Sequence, residues 1–240
     1  MAHASSTITA NLAQIRERVA QAATRAGRRP DEITIIAVTK THPAEIIRAA
    51  YEAGLRQFGE NRVQEFESKL PQLFDLPGAT FHLIGHLQSN KARRAAHLFH
   101  RIDSVDNDAL AQKLDSAAAE ENKTLGVLIE VRLGGEDTKS GVSESDLAAL
   151  AEKIAVLPHL DLRGLMTIPP FFDALEDARP FFRKLKSLRD DLAKRLARDL
   201  PVLSMGMSHD FEIAIEEGAT EIRPGTALFG ARPQLVKSDA

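Results

Sequence analysis

The run Ile33-Thr34-Ile35-Ile36-Ala37-Val38-Thr39-Lys40-Thr41-His42-Pro43 decides the fold. From Ile33 to Val38 the chain is rich in β-branched residues and almost free of polar alternation, the pattern of a strand buried on both faces in a parallel sheet. The turn that follows is equally informative. A doubly wound dinucleotide fold usually carries a glycine-rich turn after its first strand, whereas the stretch from Thr39 to Pro43 has no glycine. Lys40 stands at the C-terminal end of the strand instead. Pro43 then opens a helix that runs to Ala53, with Gly54 where a C-terminal cap is expected.

Outward from this unit the alternation repeats. Strands are predicted at 58–59, 80–84, 101–105, 125–133, 160–168, 202–207 and 221–229, with helices at 63–70, 90–99, 108–121, 145–157, 173–198 and 211–217. Upstream, Ile8, Leu12, Ile15 and Val19 recur at helical spacing behind Ser6 and Thr7, until Gly27 and Pro30 stop the pattern. Eight strands alternating with helices require a parallel sheet, and eight is the number at which such a sheet closes. The expected fold is therefore α/β: a single (β/α)8 barrel of TIM type spanning 1–240, with residues 1–6 and 236–240 as frayed tails. No helix of length is predicted after the eighth strand, so the N-terminal helix takes the outer position beside the closure point. An open doubly wound sheet is the alternative.

Composition agrees with this and narrows the function. A length of 240 residues fits one barrel, and 43% hydrophobic with 27% charged residues excludes disorder and fibrous repeats. The absence of cysteine removes disulfides, thiolate nucleophiles and Cys-based metal sites. A formal charge of −3 offers no general attraction for nucleic acid or anionic membrane, so any anion site must be local. With no apolar stretch of spanning length and no basic-then-apolar N-terminus, a cytoplasmic protein is expected. Arg93 and Arg94, behind Lys91, read as a solvated helix face. His82 and His86 are four apart but straddle a strand end outside any HExxH context, so no metal is expected.

Barrel enzymes and binding proteins place working residues at the C-terminal ends of the strands, with phosphates commonly bound after strands seven and eight. That rule selects Lys40, then Glu60, Asn61 and Arg62, His82 with the stretch from Gly85 to Lys91, Asp137, Lys139 and Ser140, Met166 and Thr167, Ser208 and His209, and Arg223, Gly225 and Thr226. Ser208 offers a hydroxyl ahead of a short helix, and Gly225 and Thr226 add amides and a second hydroxyl, together an uncharged phosphate cup. An ordinary serine cap with a turn glycine reads the same residues equally well. Lys40 at a barrel mouth suits imine chemistry with an aldehyde, or is a plain rim cation. Arg223, two residues before the cup glycine, is a donor toward a ring nitrogen or the partner of Glu221.

These residues lie in ordered blocks that resemble a known family. Ala37-Val38-Thr39-Lys40, Phe58-Gly59-Glu60-Asn61-Arg62-Val63-Gln64-Glu65, His82-Leu83-Ile84-Gly85-His86-Leu87-Gln88-Ser89-Asn90-Lys91, Ser140-Gly141, Leu162-Arg163-Gly164-Leu165-Met166, Ser204-Met205-Gly206-Met207-Ser208 and Arg223-Pro224-Gly225-Thr226-Ala227-Leu228-Phe229-Gly230 resemble the pyridoxal phosphate homeostasis proteins, whose barrel is similar to the N-terminal barrel of alanine racemase. The resemblance implies pyridoxal 5′-phosphate as cofactor and Lys40 as its aldimine lysine. It implies further that Ser208, Gly225 and Thr226 hold the phosphate, Arg223 faces the pyridine nitrogen, and Asn61, His82 and Met166 line the ring pocket. Lys139 is either a second amine near the mouth or a loop lysine offset by Glu136 and Asp137. His209 departs from the family pattern, which often has an acidic residue there.

The same resemblance separates two functions. Racemisation in the related enzyme uses a tyrosine from a further domain of the partner subunit, and the one tyrosine here is Tyr51, on the helix after the first strand. The expectation is a monomeric, non-catalytic protein of pyridoxal phosphate homeostasis that delivers the cofactor to apo-enzymes. A pyridoxal-dependent amino-acid racemase using His82 or Lys139 is the alternative, and a Schiff-base aldolase acting on a phosphorylated sugar is a third.

Overall fold

The computed structural model describes residues 2–134 and 140–230. Its strands are β1 (Thr34–Val38), β2 (Gln57–Glu60), β3 (Thr80–Leu83), β4 (Arg101–Val105), β5 (Leu125–Glu130), β6 (Leu160–Met166), β7 (Val202–Met207) and β8 (Glu221–Arg223). Each pairs in parallel with the next, and β8 returns to β1, so the sheet closes in sequence order. Closure excludes the open doubly wound alternative. The helices are α1 (Ala2–Arg25), ahead of β1, then α2 (Ala44–Glu52), α3 (Val63–Lys69), α4 (Ala92–Leu98), α5 (Asp108–Glu120), α6 (Glu144–Ala155), α7 (Arg179–Leu196), α8 (Phe211–Glu216) and α9 (Thr226–Phe229). Among the described residues no helix is long and apolar enough to cross a membrane.

The apolar stripe of α1, Ile8, Leu12, Ile15 and Val19, is buried. This helix packs on α2, α8 and α9, where a full-length eighth helix would otherwise stand. Polar contacts fix its rotation. Arg18 makes two hydrogen bonds to Glu212, at 2.9 and 2.8 Å, and its guanidinium lies 4.4 Å from the centre of the Phe211 ring. Asn11 Nδ2 donates to the Leu228 carbonyl at 2.9 Å.

Several predicted boundaries shift for identifiable reasons. The eighth strand ends at Arg223 rather than continuing to 229, because Pro224 has no N–H for a ladder and the Gly225 amide turns away to Ser208 Oγ, 2.9 Å off. Residues 226–229 form α9 instead. The fifth strand stops at Glu130, since Val131 bridges to Val142 and the Arg132 amide donates to the Val142 carbonyl. Helix α7 begins at Arg179 after a 3-10 turn at Leu175–Ala178, and a 3-10 turn at Ser89–Lys91 precedes α4. Ahead of Ile8 the sequence has no helix breaker, Thr9 Oγ1 donates back to the Ser5 carbonyl at 2.9 Å, and α1 is helical from Ala2. The tail at 236–240 lies outside the described residues.

The barrel interior is partly ionic. Arg101 donates to Asp103 at 2.7 and 2.8 Å and to Glu221 at 2.8 and 2.6 Å. Burial on its own would push the Asp103 carboxyl up, but the Arg101 guanidinium holds it well below the usual range. At the other end of β7, Gly206 has φ +89° and sits against α8: a Cβ there would fall 2.6 Å from Ala214 Cβ and 2.9 Å from Phe211 Cα. This close approach sets the height of the loop after β7.

Gly206→Ala is expected to destabilise the protein by about 2–5 kcal/mol, the sum of a left-handed backbone cost and overpacking. A denaturant midpoint equal to that of the parent protein would contradict this account.

Candidate functional site

At the C-terminal ends of the strands lies a cavity of about 420 Å³ that gathers Lys40, Asn61, Ser208, Arg223, Gly225 and Thr226. Val38, Ile84, Ile168 and Met207 supply apolar wall, and Glu130, Ser140, His86 and His209 complete the lining. The sequence-predicted residues of β1, β2, β7 and β8 thus meet at one mouth.

The cup on the β7–β8 side is built around one hydroxyl. Ser208 Oγ accepts from the amides of Gly225, at 2.9 Å, and Ala227, at 3.0 Å. Ser208 is therefore not the cap of α8, whose N-cap is Asp210; it ties the end of β7 to the start of α9. With both lone pairs engaged, the hydroxyl is left as a donor. The amide and hydroxyl of exposed Thr226 find no partner among the described residues. The Gly225 amide, expected to face an anion, is committed to Ser208 instead, so the cup presents the Ser208 hydroxyl with the Thr226 amide and hydroxyl.

Arg223 is 3% exposed. Its guanidinium donates to Ser204 Oγ at 2.8 Å and to the Thr167 carbonyl at 2.7 Å. It does not pair with Glu221, which Arg101 holds. Burial lowers the pKa of Arg223, opposed by the carboxylates of Asp103, Glu130, Glu221 and Asp210, and the group remains a cation at neutral pH. Close by in charge terms is Glu130, 4% exposed, whose Oε1 accepts from Ser140 Oγ at 3.1 Å while Oε2 is buried with no partner among the described residues. Burial pushes the Glu130 carboxyl up, with Ser140, Arg223 and His86 opposing.

On the β1 side, Thr39 is fully buried and Lys40 half-buried. Asn61 reaches the mouth because Gly85 has no side chain: a Cβ there would strike the Asn61 carbonyl. Two expected ring-pocket residues are not in the cavity lining. His82 points into the barrel one layer below, its Nε2 2.7 Å from Gln57 Oε1 and its Nδ1 3.8 Å from Asp103; the mouth end of β3 is reached only at Ile84 and Gly85. Met166 is fully buried and packs with Leu128 and Val202 inside the barrel. Lys139 lies outside the described residues. With the fifth strand predicted to run to 133, Glu130 falls inside it and not at its end; its sequence signal is a lone acid in the apolar run Leu125 to Val131.

The chemistry of this donor set suits a planar anionic aldehyde: an amine, a buried guanidinium, a buried carboxyl and a neutral cup of hydroxyls and an amide around one cavity. Among the described residues no group of three His, Asp or Glu converges as metal ligands would.

The alanine racemase N-terminal domain family matches residues 10–233 of the chain, so fold and site together define a barrel of that class. Among curated relatives, the pyridoxal phosphate homeostasis protein of Aquifex aeolicus is 48% identical over 92% of this chain and 96% of its own. That of Escherichia coli K12 is 43% identical over 94% and 97%. The chain belongs to the pyridoxal phosphate homeostasis protein family. PipY of Synechococcus elongatus, whose structure was solved with pyridoxal phosphate bound, superposes with TM-score 0.83 at 41% identity, over 93% of this chain and all of PipY. Alanine racemase of Corynebacterium glutamicum, at 19% identity and TM-score 0.69 over 95% of this chain and 61% of the enzyme, shares the fold.

The raised Glu130 carboxyl gives a pH signature. Because its folded pKa lies above the ordinary 4.5, the folded state holds this proton where the unfolded state has lost it. Its contribution to stability therefore falls as pH rises from about 4.5, and the full penalty is present above the folded pKa. Glu130→Gln, which keeps an acceptor for Ser140 and removes the charge, is expected to match the parent below pH 4.5 and to melt higher at neutral pH, by about 2–4 °C for each kcal/mol recovered. A melting difference independent of pH would refute the assignment.

Proposed function

We propose that this chain binds pyridoxal 5′-phosphate, holds it through a reversible Schiff base at Lys40, and serves to store and deliver it to apo-enzymes without turnover of its own. One observation carries this reading: the Lys40 amine, the buried Arg223 guanidinium and the Ser208–Thr226 cup line a single cavity. The names of the relatives and the bound group of PipY point the same way.

The bound aldehyde supplies reversible covalent capture of an amine, with one water released on condensation and taken up on release. The protein's residues do the rest. Ser208 and Thr226 donate to the phosphate, Arg223 donates toward the ring nitrogen, and Asn61 and Glu130 flank the remainder of the ring. A guanidinium cannot accept the proton of a pyridinium, so it leaves the ring neutral and a weak sink for carbanion charge. Tyr51 offers no base for a second face: it sits on α2, its hydroxyl donating to the Pro77 carbonyl at 2.8 Å. A site that grips the cofactor but neither protonates its ring nor supplies an opposing tyrosine suits carriage better than racemisation.

Purified protein with pyridoxal 5′-phosphate is expected to show a visible absorbance band and a borohydride-fixed adduct mapping to Lys40, both lost in Lys40→Ala. Ser208→Ala leaves two amides without their acceptor and is expected to weaken pyridoxal 5′-phosphate about tenfold or more while sparing unphosphorylated pyridoxal. Turnover of L-alanine or another L-amino acid above about 1 per second, the low end of ordinary enzymes, would overturn the carrier reading in favour of the racemase.

A further inference from the structure

The backbone on both sides of Lys40 is held by one buried ion cluster outside the cavity. Lys69, at the end of α3, carries three ammonium protons and meets three acceptor groups: the Thr39 carbonyl at 3.1 Å, the Glu60 carboxylate at 2.9 and 3.1 Å, and Glu65 Oε1 at 2.7 Å. Its side chain is 8% exposed and that of Glu60 fully buried. Glu60 Oε1 also accepts from the Thr39 hydroxyl at 2.7 Å. Glu65 Oε1 accepts from the Thr41 amide at 2.5 Å. So the carbonyl of the residue before Lys40 and the amide of the residue after it end on the same hub.

The conformation it imposes is unfavourable by itself. Thr41 has φ +66°, a left-handed conformation that costs a β-branched residue about 1–2 kcal/mol and persists only where surroundings enforce it. The Thr39 amide, bonded to the Gly59 carbonyl at 2.9 Å, fixes the remaining end. With the peptides at 39 and 41 pinned, the direction of the Lys40 Cα–Cβ bond is set by Lys69, Glu60 and Glu65.

Building on the function proposed above, we propose that Lys69, with Glu60 and Glu65, is a positioning cluster that aims the Lys40 amine at the carbonyl of a bound aldehyde. Its role is directional: it acts on the covalent step and leaves grip on the phosphate and ring to the far side of the barrel. This distinguishes it from a group that merely holds the fold.

The test compares two ligands of one shape. Pyridoxal 5′-phosphate condenses with Lys40; pyridoxamine 5′-phosphate carries the same ring and phosphate but an amine in place of the aldehyde, so it binds without that bond. Glu65→Ala frees the Thr41 amide at a partly exposed position. Lys69→Met combined with Glu60→Gln dismantles the hub without stranding a buried charge. In both variants affinity for the aldehyde and its borohydride-trapping rate are expected to fall about tenfold or more, as displacement of a reacting group by a fraction of an ångström does, with pyridoxamine 5′-phosphate bound as in the parent. Equal loss of both ligands, or loss of neither, overturns the proposal while wild-type Lys40 still forms its adduct. Absence of the adduct in the wild type overturns the proposed function and this inference with it.

Discussion

Closure of the sheet between its first and last strands is the constraint on which everything else rests. The Thr34 amide donates to the Thr220 carbonyl and the Val38 amide to the Pro224 carbonyl, and Gly225 lies beside Val38. Two segments nearly two hundred residues apart in sequence are thereby fixed edge to edge. The amine of the first strand and the hydroxyl and amide donors after the seventh and eighth then face one space. Loop closure over such separations is costly in entropy, and the apolar stripe of α1 supplies part of the compensation by covering the seam against α2, α8 and α9.

Around this seam the polar groups are divided by task. The far side of the mouth offers neutral donors to an anion and a cation whose own acceptors, Ser204 Oγ and the Thr167 carbonyl, are uncharged. The near side sends the Lys40 amine into the cavity and keeps its other charges, the Lys69, Glu60 and Glu65 cluster, outside it. Glu130 adds a buried carboxyl, one oxygen partnered by Ser140 and the other without a partner among the described residues.

Much of this is legible in the sequence, for physical reasons that also mark where legibility stops. The run from Ile33 to Val38 declares a buried parallel strand through local residue type, and the position of Lys40 follows by counting to its end. Ser208, Gly225 and Thr226 follow from the rule that barrels work at strand ends. The end of the eighth strand is only half legible: Pro224 is a local signal, but the partner that turns Gly225 aside, Ser208, lies beyond the end of β7. The ring-pocket expectation for His82 rests on the resemblance alone, and its side chain lies one layer below Ile84, because alternate residues along a strand share a face and two residues are one step along it. Lys69 looks like an ordinary exposed lysine near a helix end, and nothing local reveals the Thr39 carbonyl against it.

The ion cluster of Arg101, Asp103 and Glu221 lies in the barrel beneath the mouth, both carboxylates held by the one guanidinium. The interior of such a barrel is a packed core and not a pore, so the cavity at the mouth does not continue through it. A ligand that enters the cavity and a ligand that leaves it therefore share one face of the barrel, the face at the C-terminal ends of the strands.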